Sequence, residues 1–273
     1  VPDTEKLFFR TKELLNDIHT RHPKIMVEQM IVKHICAKSV YMSTTGNTYF
    51  SESGRYIAEL MYSAHRGDQA TSFFGSDVTV TDLDNPFIDC ALIERELTDI
   101  ENQIDSAATE GKFTGKVIFT PACLVSTVFG NICGNFVSDS VLLEGTSLWK
   151  DKLGQKVADE RITVSFNPSD KRIVNGERYT GEGYLSEDYD LIRDGVLQSF
   201  MLSKYVANKT GNLRAKNSSF ALIIEAGETP LEEMIKGIHT ALLAKKGYFL
   251  MVVFRAEAPA QTANFRVLRK TDL

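Results

Sequence analysis

A helical stripe of apolar residues between Asn85 and Gly111 is the feature that most limits how this chain of 273 residues can fold. Asn85 is typical of a helix cap, Pro86 suits a first helical turn and Gly111 suits a helix exit. The pattern therefore predicts one helix, with the charged positions on a solvated face. The apolar positions are Cys90, Ile93, Leu97, Ile100, Ile104 and Ala107, and the charged ones are Glu94, Arg95, Asp99 and Glu101. A helix with one apolar face must cover another layer, so it predicts a layered fold.

The preceding residues predict that other layer. Apolar residues at helical spacing predict a helix from Thr4 to Thr20, which stops before Pro23. Residues 24–80 are rich in Ile, Val, Tyr, Phe and Thr, and they carry turn signals at 45–47, 53–54 and 66–68. This composition predicts an antiparallel meander of three or four strands. A helix on such a meander is half of an α+β layer.

Residues 112–115 are typical of a linker into a second region. After it the sequence predicts a strand from Lys116 to Thr120 and a helix from Pro121 to Ser138. Turns then become frequent, and Asp194-Gly195 is a strong hairpin signal. Further strands are predicted at 161–166, 189–193, 196–202 and 219–225, and a last helix at 229–243. The whole chain is therefore predicted to be α+β.

Charge and hydropathy exclude several classes of protein. The formal net charge is −5 and 25% of the residues are charged, which disfavours both disorder and a nucleic-acid partner. No apolar run approaches the length of about 18 residues that a membrane span needs. The first residues, beginning Val1-Pro2-Asp3, do not resemble a signal peptide. These observations predict a soluble, cytoplasmic protein with no membrane or nucleic-acid partner.

Metal-binding and catalytic patterns of general type are missing. His19 and His22 are three residues apart on the first predicted helix, but no third ligand stands nearby, so a solvated helix end is the favoured interpretation. The four cysteines form no Cys-x-x-Cys pair. The sequence contains no GxSxG, phosphate-binding loop or HExxH pattern. The residues alone thus leave the activity open.

A series of phrases in a fixed order resembles a known family. They are TGKVIFTP at 114–121, KLGQKV at 152–157, DYDLIRDGVLQSFMLSKYVANKTG at 188–211 and SFALIIEAGETPLEEMIKG at 219–237, with a weaker match at 43–46. Together they resemble the TldD/PmbA family over roughly residues 1–243. Members are called modulators of DNA gyrase and act in proteolytic peptide maturation. The resemblance implies an N-terminal α/β layered portion with the meander and a mainly antiparallel, barrel-like C-terminal domain with a few helices.

The resemblance also decides the expected metal chemistry. The TldD branch resembles a zinc protease that carries HExxxH on the helix after the T-P phrase. On this chain Gly130 and Asn135 stand at the histidine positions and Asn131 at the glutamate position. Glycine has no side chain, and an amide is neither a general base nor a good zinc ligand. The sequence is therefore similar to the PmbA/TldE branch, which lacks the motif, and we expect no metal or catalytic residue in this chain.

The PmbA/TldE branch is similar to the metal-free subunit of a two-subunit protease, in which it helps to form the groove for a peptide. The implied partner is a TldD-like zinc subunit or, alternatively, a second copy of this chain. Glu182-Gly183 stands where the family has its D-E-G phrase, which implies a groove-lining role. A simple turn is an equal alternative for these two residues.

The chain departs from the family pattern at both ends. A preceding α/β portion of the family is missing, so residues 1–111 are expected to be the remainder of the N-terminal domain. Residues 112–273 are then the C-terminal domain, incomplete because the family pattern stops near residue 252. We hypothesise that a shifted reading frame explains this tail, including its basic residues. Two other functions remain open, namely a peptidase whose metal comes from a partner chain and a binding protein that modulates gyrase without catalysis.

Overall fold

The computed structural model describes residues 2–105, 116–119, 121–230, 233–234, 241–244, 250–251 and 266–267. The chain divides into two compact units, Val1–Gly111 and Lys112–Leu273. Each unit has a hydrophobic core of its own, so the two are described separately.

The first unit begins with α1, Thr4–Arg21, which confirms the first predicted helix. The carboxylate of Asp3 accepts the Lys6 backbone N–H at 2.9 Å and so satisfies one of the free donors at the helix start. Leu14 and Ile18 are buried on the inner face. The predicted solvated end of this helix is wrong at His22, because that side chain turns inward and is only 3% exposed.

The meander follows as two long strands and two shorter ones. Strand β1, Ile25–Met42, pairs antiparallel with β2, Thr48–Arg66. The short β3, Gln69–Ala70, and β4, Phe74–Val80, both pair with β2. The predicted turn at Ser53-Gly54 is wrong, since β2 continues through it. A Cβ on residue 54 would lie 3.4 Å from Nε2 of His34, so this glycine accommodates a neighbouring ring within the sheet.

The stripe helix is shorter than its sequence predicts. A 3-10 turn, Phe87–Asp89, comes first, and α2 spans only Ile93–Gln103. The prediction of a helix from Asn85 is wrong because Ala91, with φ of 52°, interrupts the helical backbone. Ala107 and the predicted exit at Gly111 lie outside the described residues. The stripe itself is confirmed by the buried Ile93, Leu97 and Ile100.

One charged residue of α2 does not lie on the predicted solvated face. Glu101 has a side chain only 15% exposed, and its Oε1 accepts the Lys24 backbone N–H at 3.1 Å. The carboxylate is therefore part of the packing between α2 and the segment that leads into β1.

The main sheet of the second unit has the order β8-β7-β6-β9, and every pair in it is antiparallel. Its strands are β6, Val164–Phe166, β7, Tyr189–Arg193, β8, Val196–Leu197, and β9, Leu222–Ile224. The turn between β7 and β8 is confirmed, since Asp194 and Gly195 both have positive φ. The strands predicted at 161–166, 196–202 and 219–225 are shorter than expected. Phe200 and Leu202 are buried although they do not belong to a strand. The apolar residues that suggested a longer strand are therefore explained by burial in the core.

Four further short strands are described in the second unit. Strand β5, Lys116–Phe119, runs parallel to β10, Ala241–Ala244, and β11, Leu250–Met251, pairs antiparallel with β12, Arg266–Val267. The last predicted helix is wrong at its C-terminal end, because residues 241–244 form a strand that pairs with β5. A short apolar run such as this one is compatible with either a helix or a strand. Most of the tail after residue 252 lies outside the described residues.

The fold is α+β, as the sequence predicts. The barrel-like closure expected for the C-terminal domain is not found among the described strands. There the main sheet is open, with β8 and β9 at its two ends. Closure would require a hydrogen-bonded ladder between those end strands, but among the described strands β8 pairs with β7 and β9 with β6, and β8 has one further isolated bridge, to Lys156.

Candidate functional site

The helix at residues 121–137, named here the motif helix, carries the positions of the expected metal motif. It alternates between α-helical and π-helical turns, with α3 at Pro121–Cys123, α4 at Gly130–Ile132 and π-helical segments at Leu124–Phe129 and Cys133–Val137. Phe129, Cys133 and Phe136 point into the core of the second unit. The predicted helix is thus confirmed in extent, whereas its π-helical turns left no signal that we recognised in the sequence.

The π-helical turns bear on the spacing of the motif. In an α-helix of about 3.6 residues per turn, two residues five positions apart do not share one face. A π-helix closes its hydrogen bonds from i to i+5, which brings a residue and the fifth one after it toward the same side. Gly130 and Asn135 are five positions apart, with Gly130 in the α-helical segment Gly130–Ile132 and Asn135 in the π-helical segment Cys133–Val137. The path between the two positions is therefore part α-helical and part π-helical.

The side chains at these positions interact with each other. Nδ2 of Asn135 donates to the backbone oxygen of Asn131 at 3.0 Å and lies 3.4 Å from its Oδ1. Asn135 is exposed and Asn131 half-buried. At Gly130 an added Cβ would meet the carbonyl oxygen of Val125 at 3.6 Å, an ordinary contact. There is therefore space for a side chain at residue 130, where this chain has glycine.

The donor groups at this place do not fit zinc. Two neutral amides and a glycine offer none of the imidazole, thiolate or carboxylate groups that zinc prefers. Cys133 lies within the same turn but is 5% exposed, and burial raises the pKa of its thiol to about 11, which disfavours the thiolate. Burial also raises the pKa of the nearby phenol of Tyr189. Among the described ranges, no group of three or more His, Cys, Asp or Glu side chains is placed to hold a metal ion.

A polar junction connects the end of the motif helix with a second helix. Helix α5, Asp139–Leu143, follows the motif helix, and α6 spans Lys204–Thr210. Oδ1 of Asp139 accepts the Ser203 backbone N–H at 2.9 Å, and the Ser203 hydroxyl caps α6 by accepting from Val206 at 3.3 Å. Helix α6 was not predicted from the sequence, although Ser203 as a cap and Gly211 after the helix are ordinary signals of one.

Glu182 meets the same junction. Its two carboxylate oxygens lie 2.9 and 3.1 Å from the Lys204 backbone N–H, so the side chain binds the first turn of α6. Gly183 is buried, with φ of 83°, in a turn closed by the hydrogen bond from Thr180 N–H to the Tyr184 oxygen at 2.8 Å. Asp139 and Glu182 thus accept hydrogen bonds from two consecutive backbone N–H groups, those of Ser203 and Lys204. Asn131 and Asn135 lie upstream of this junction, on the helix that ends in it.

Exposed apolar side chains flank this turn. Leu185 follows it, Tyr205 follows Lys204, and Leu213 is 89% exposed in the loop after α6. The guanidinium of Arg214, next to Leu213, lies 3.8 Å from the centre of the Tyr184 ring, which ties that loop to the turn. The surface around Glu182 therefore combines a fixed carboxylate with accessible apolar groups.

Within the portion of the chain that the structure describes, no helix combines the length and apolar character needed to cross a membrane.

A family model, described as the PmbA/TldA metallopeptidase C-terminal domain, matches residues 111–268. A zinc metalloprotease TldD homolog of Saccharolobus solfataricus is 24% identical over 264 residues, which are 88% of this chain and 57% of that protein. The chain therefore spans little more than half the length of this relative.

Solved structures show the same fold. TldE from Thermococcus kodakarensis matches with a TM-score of 0.70 and 17% identity, over 90% of this chain and 57% of that one. A Thermotoga maritima protein named as a candidate modulator of a DNA gyrase matches with a TM-score of 0.68 and 16% identity, over 86% of this chain and 54% of that one. Because the sequence identities are only 17% and 16%, the similarity to these two structures shows a shared fold and nothing further.

Proposed function

The chain belongs to the PmbA/TldD metallopeptidase family, and we propose that it is a PmbA/TldE-like member that lacks a metal site of its own. In this proposal it acts in proteolytic peptide maturation beside a TldD-like subunit that carries zinc. Residues 1–111 are then the remainder of the family's N-terminal domain, and residues 112–273 belong to its C-terminal domain.

The observation that carries the proposal is the motif helix. At the positions of the expected metal motif on this helix, Gly130 and Asn135 supply no zinc ligand and Asn131 supplies no base. A chain that keeps the scaffold and lacks the donors is better suited to presenting a substrate than to cleaving it. The zinc named for the Saccharolobus solfataricus relative would then reside in the partner.

The proposed role for the surface around Glu182 and Gly183 is to line the peptide groove. Glu182 is fixed by the backbone of Lys204, so its carboxylate has a defined position without being buried. Leu185, Tyr205 and Leu213 provide exposed apolar contacts beside it. A peptide with apolar side chains and a basic group fits this combination.

The test is reconstitution. This chain and a TldD-like subunit from the same genome are purified separately, and zinc content and cleavage of a fluorogenic peptide library are measured for each alone and for the mixture. We expect no stoichiometric zinc and no cleavage for this chain alone, and cleavage by the mixture that a chelator abolishes. Stoichiometric zinc together with chelator-sensitive cleavage by this chain alone would contradict the proposal.

A pull-down with the immobilised chain separates the remaining alternatives. We expect it to retain the TldD-like subunit. Retention of gyrase without that subunit would favour a protein-binding modulator, and light scattering that shows only a homodimer in the mixture would favour self-association.

A further inference from the structure

The sheet of the first unit ends on one side in a long strand with a free edge. Among the described strands, β1 pairs only with β2. Natural sheets protect such an edge with a short strand, a proline or a bulge, because its free backbone groups accept another strand. β1 has 18 residues and no proline, and its register shift lies near its start, between Val27 and Gln29. The edge after Gln29 is therefore suited to strand pairing.

The outer end of the β1–β2 hairpin, residues 36–54, is a two-stranded ribbon and is named here the arm. Strand β4 pairs with β2 at residues 56–62 and β3 pairs with it at residues 65–66, so neither reaches the arm. A ribbon of two strands is only marginally stable in water by itself. The length of the arm therefore favours a further contact that supports it.

One face of the arm is apolar and exposed. Val40 is paired with Phe50, and Met42 lies two positions after Val40, so all three side chains are on the same face. All three are exposed. Tyr56 lies six positions after Phe50 in β2, which places it on this face, and it belongs to the core beneath α1 and α2. The apolar face of the arm is thus the uncovered continuation of the face that the helices cover.

Helix α1 overhangs the free edge on this same face. It packs on β1, whereas α2 packs on β2 and β4. One flank of α1 faces the segment between β4 and α2, since Lys6 and Arg10 bind residues 83–84 there. At about 100° per residue, Phe8 and Leu15 lie on the opposite flank, and both are exposed. These two side chains therefore lie above the edge of β1.

The start of α1 fixes where these side chains lie along β1. The Asp3 backbone N–H donates to the hydroxyl of Tyr56 at 2.9 Å, and Tyr56 is paired with His34. From there α1 runs back toward the beginning of β1, because only a short turn joins the two elements. Phe8 is five residues further along the helix, or about 7.5 Å, which is about two residues of a strand. Phe8 is thus about level with Val32 of β1.

We infer that two copies of this chain pair through β1, antiparallel and about a two-fold axis, with the arm of each copy beneath Phe8 and Leu15 of the other. One chain carries both parts of the contact, the edge with its overhanging helix and the arm with its apolar face. A second copy therefore completes both parts at once. This pairing uses the first unit only and is independent of the proposed protease role.

The register with Cys36 opposite Cys36 of the second copy joins apolar residues. Val40 then meets Val32 of the second copy, and Met42 meets its Met30. Val32 and Met30 both pack against the core of the first unit, so the arm of one copy extends the core of the other.

Charge and size support the same contact. Lys38 meets His34 of the second copy, which lies beside the acidic Asp3 at the start of that copy's α1, so opposite charges approach. Phe8 and Phe50 are 62% and 67% exposed. An aromatic side chain buries about 150–250 Å², so these two contribute about 250 Å² per copy. With the other apolar side chains and a ladder about 40 Å long, the contact approaches the ~800 Å² per copy that a stable dimer buries.

Sedimentation velocity of the full chain over a dilution series measures the dissociation constant of this dimer. We expect Val40→Lys and Phe8→Lys each to raise the constant at least about tenfold, because each places a charge in the apolar contact. Leu148→Lys makes the same kind of change at an exposed residue of the second unit and should leave the constant unchanged. The midpoints of urea unfolding should match the wild type, since all three side chains are exposed.

A charge swap tests the geometry. If residue 8 of each copy faces residue 40 of the other, the double variant Phe8→Glu with Val40→Lys should recover most of the affinity that Val40→Lys loses. No recovery would overturn the arrangement, as would a wild-type chain that is monomeric up to about 100 µM. A chain that is monomeric alone but binds a TldD-like subunit through the same residues would assign the edge to that subunit and overturn self-pairing.

Oxidation tests the register. Residues directly opposite in an antiparallel pair have Cα atoms about 4.5–5.5 Å apart, within the range of a disulfide, so diamide should link two copies through Cys36. Non-reducing electrophoresis detects the linked dimer. Cys36→Ser should not form it, and Val40→Lys, which keeps the cysteine, should form much less. A wild-type dimer that forms no link through Cys36 would overturn the pairing about this residue.

Discussion

The turn between β7 and β8 contains a residue at which no side chain can be accommodated. Gly195 has φ of 75°, and a Cβ there would lie 2.5 Å from the carbonyl oxygen of Ala158 and 2.7 Å from that of Asp159. We expect Gly195→Ala to lower the free energy of unfolding of the second unit by about 3–4 kcal/mol, since left-handed strain and steric overlap add. Urea unfolding followed by the fluorescence of Trp149, the single tryptophan, measures this loss.

Gly211 provides the matched control. It has nearly the same φ, 72°, but no atom lies within 4 Å of the position of its missing Cβ. Gly211→Ala should therefore cost about 1–2 kcal/mol from backbone strain alone. An equal loss in the two variants would show that the overlap at residue 195 is relieved by movement of the loop.

The cysteines differ in their expected reactivity. Cys36 is exposed, whereas Cys133 is buried in the motif helix and burial raises the pKa of its thiol to about 11. Because the thiolate is the reactive form, at pH 8 a thiol reagent should modify Cys36 in the folded protein and Cys133 only after unfolding. Mass spectrometry of labelled peptides checks this, and Cys36→Ser should remove the fast reaction. Rapid modification of Cys133 in that variant would mean that the motif helix opens readily.

At the scale of elements, the sequence predicted those parts whose causes are local. The helix α1, strand β7 and the Asp194-Gly195 turn follow from capping, alternation and turn chemistry within a few residues. Elements that depend on contacts with residues far away in the sequence were predicted wrongly or not at all. Residues 241–244 are a strand because β5 pairs with them, and Gly54 remains in β2 because it pairs with Cys36 of β1.

The candidate site shows the same division. The positions of Gly130, Asn131 and Asn135 on a helix could be predicted from the sequence, because that helix has a local signal. Its π-helical turns were not predicted; Phe129 and Phe136, which lie in them, are buried in the core of the second unit. Nor could the contact between Glu182 and Lys204 be predicted, because the two residues are 22 positions apart and meet only in the folded chain.

The carboxylate of Glu182 binds the first turn of α6. Substitutions at Glu182 can therefore separate a structural role of this side chain from a role in the peptide groove. Glu182→Ala should lower the free energy of unfolding of the second unit by about 1 kcal/mol, because the first turn of α6 loses an acceptor. Glu182→Gln keeps an acceptor and should lower the free energy of unfolding by only about 0.3 kcal/mol.

The reconstituted complex then distinguishes the two roles. If the carboxylate contacts substrate, Glu182→Gln should raise KM for basic peptides severalfold, while the midpoint of unfolding falls only slightly. Glu160→Gln is the control, as its carboxylate lies on the exposed surface of the same unit. Unchanged kinetics in both variants would leave Glu182 with a structural role only.

The backbone of the motif helix can be tested by restoring ligands to it. In the double variant Gly130→His with Asn135→His, both imidazoles stand at the histidine positions of the expected motif, and the space at residue 130 admits the new side chain. We expect this variant to bind Zn²⁺ about tenfold more tightly than either single variant, because two ligands share one ion. Isothermal titration calorimetry measures the affinities, and equal binding by a single variant would contradict the shared geometry.

At the scale of the whole molecule, each unit buries a separate set of apolar side chains. Leu97 on α2 is fully buried in the first core, and Leu191 on β7 is fully buried in the second. A domain with its own core can unfold by itself, so a change in one core need not affect the other. The division of the chain at residue 111 therefore has a thermodynamic consequence.

Leu97→Ala and Leu191→Ala test this consequence as a pair. Each removes a fully buried side chain and should cost about 2–5 kcal/mol in its own unit. Trp149 packs against the second core, with its ring 4.8 Å from that of Phe136, so its fluorescence reports on the second unit. Leu191→Ala should lower the urea midpoint seen by fluorescence, and Leu97→Ala should leave that midpoint unchanged while it increases hydrogen exchange in peptides from residues 4–105. If Leu97→Ala shifts both signals equally, the two units unfold as one and the predicted independence is wrong.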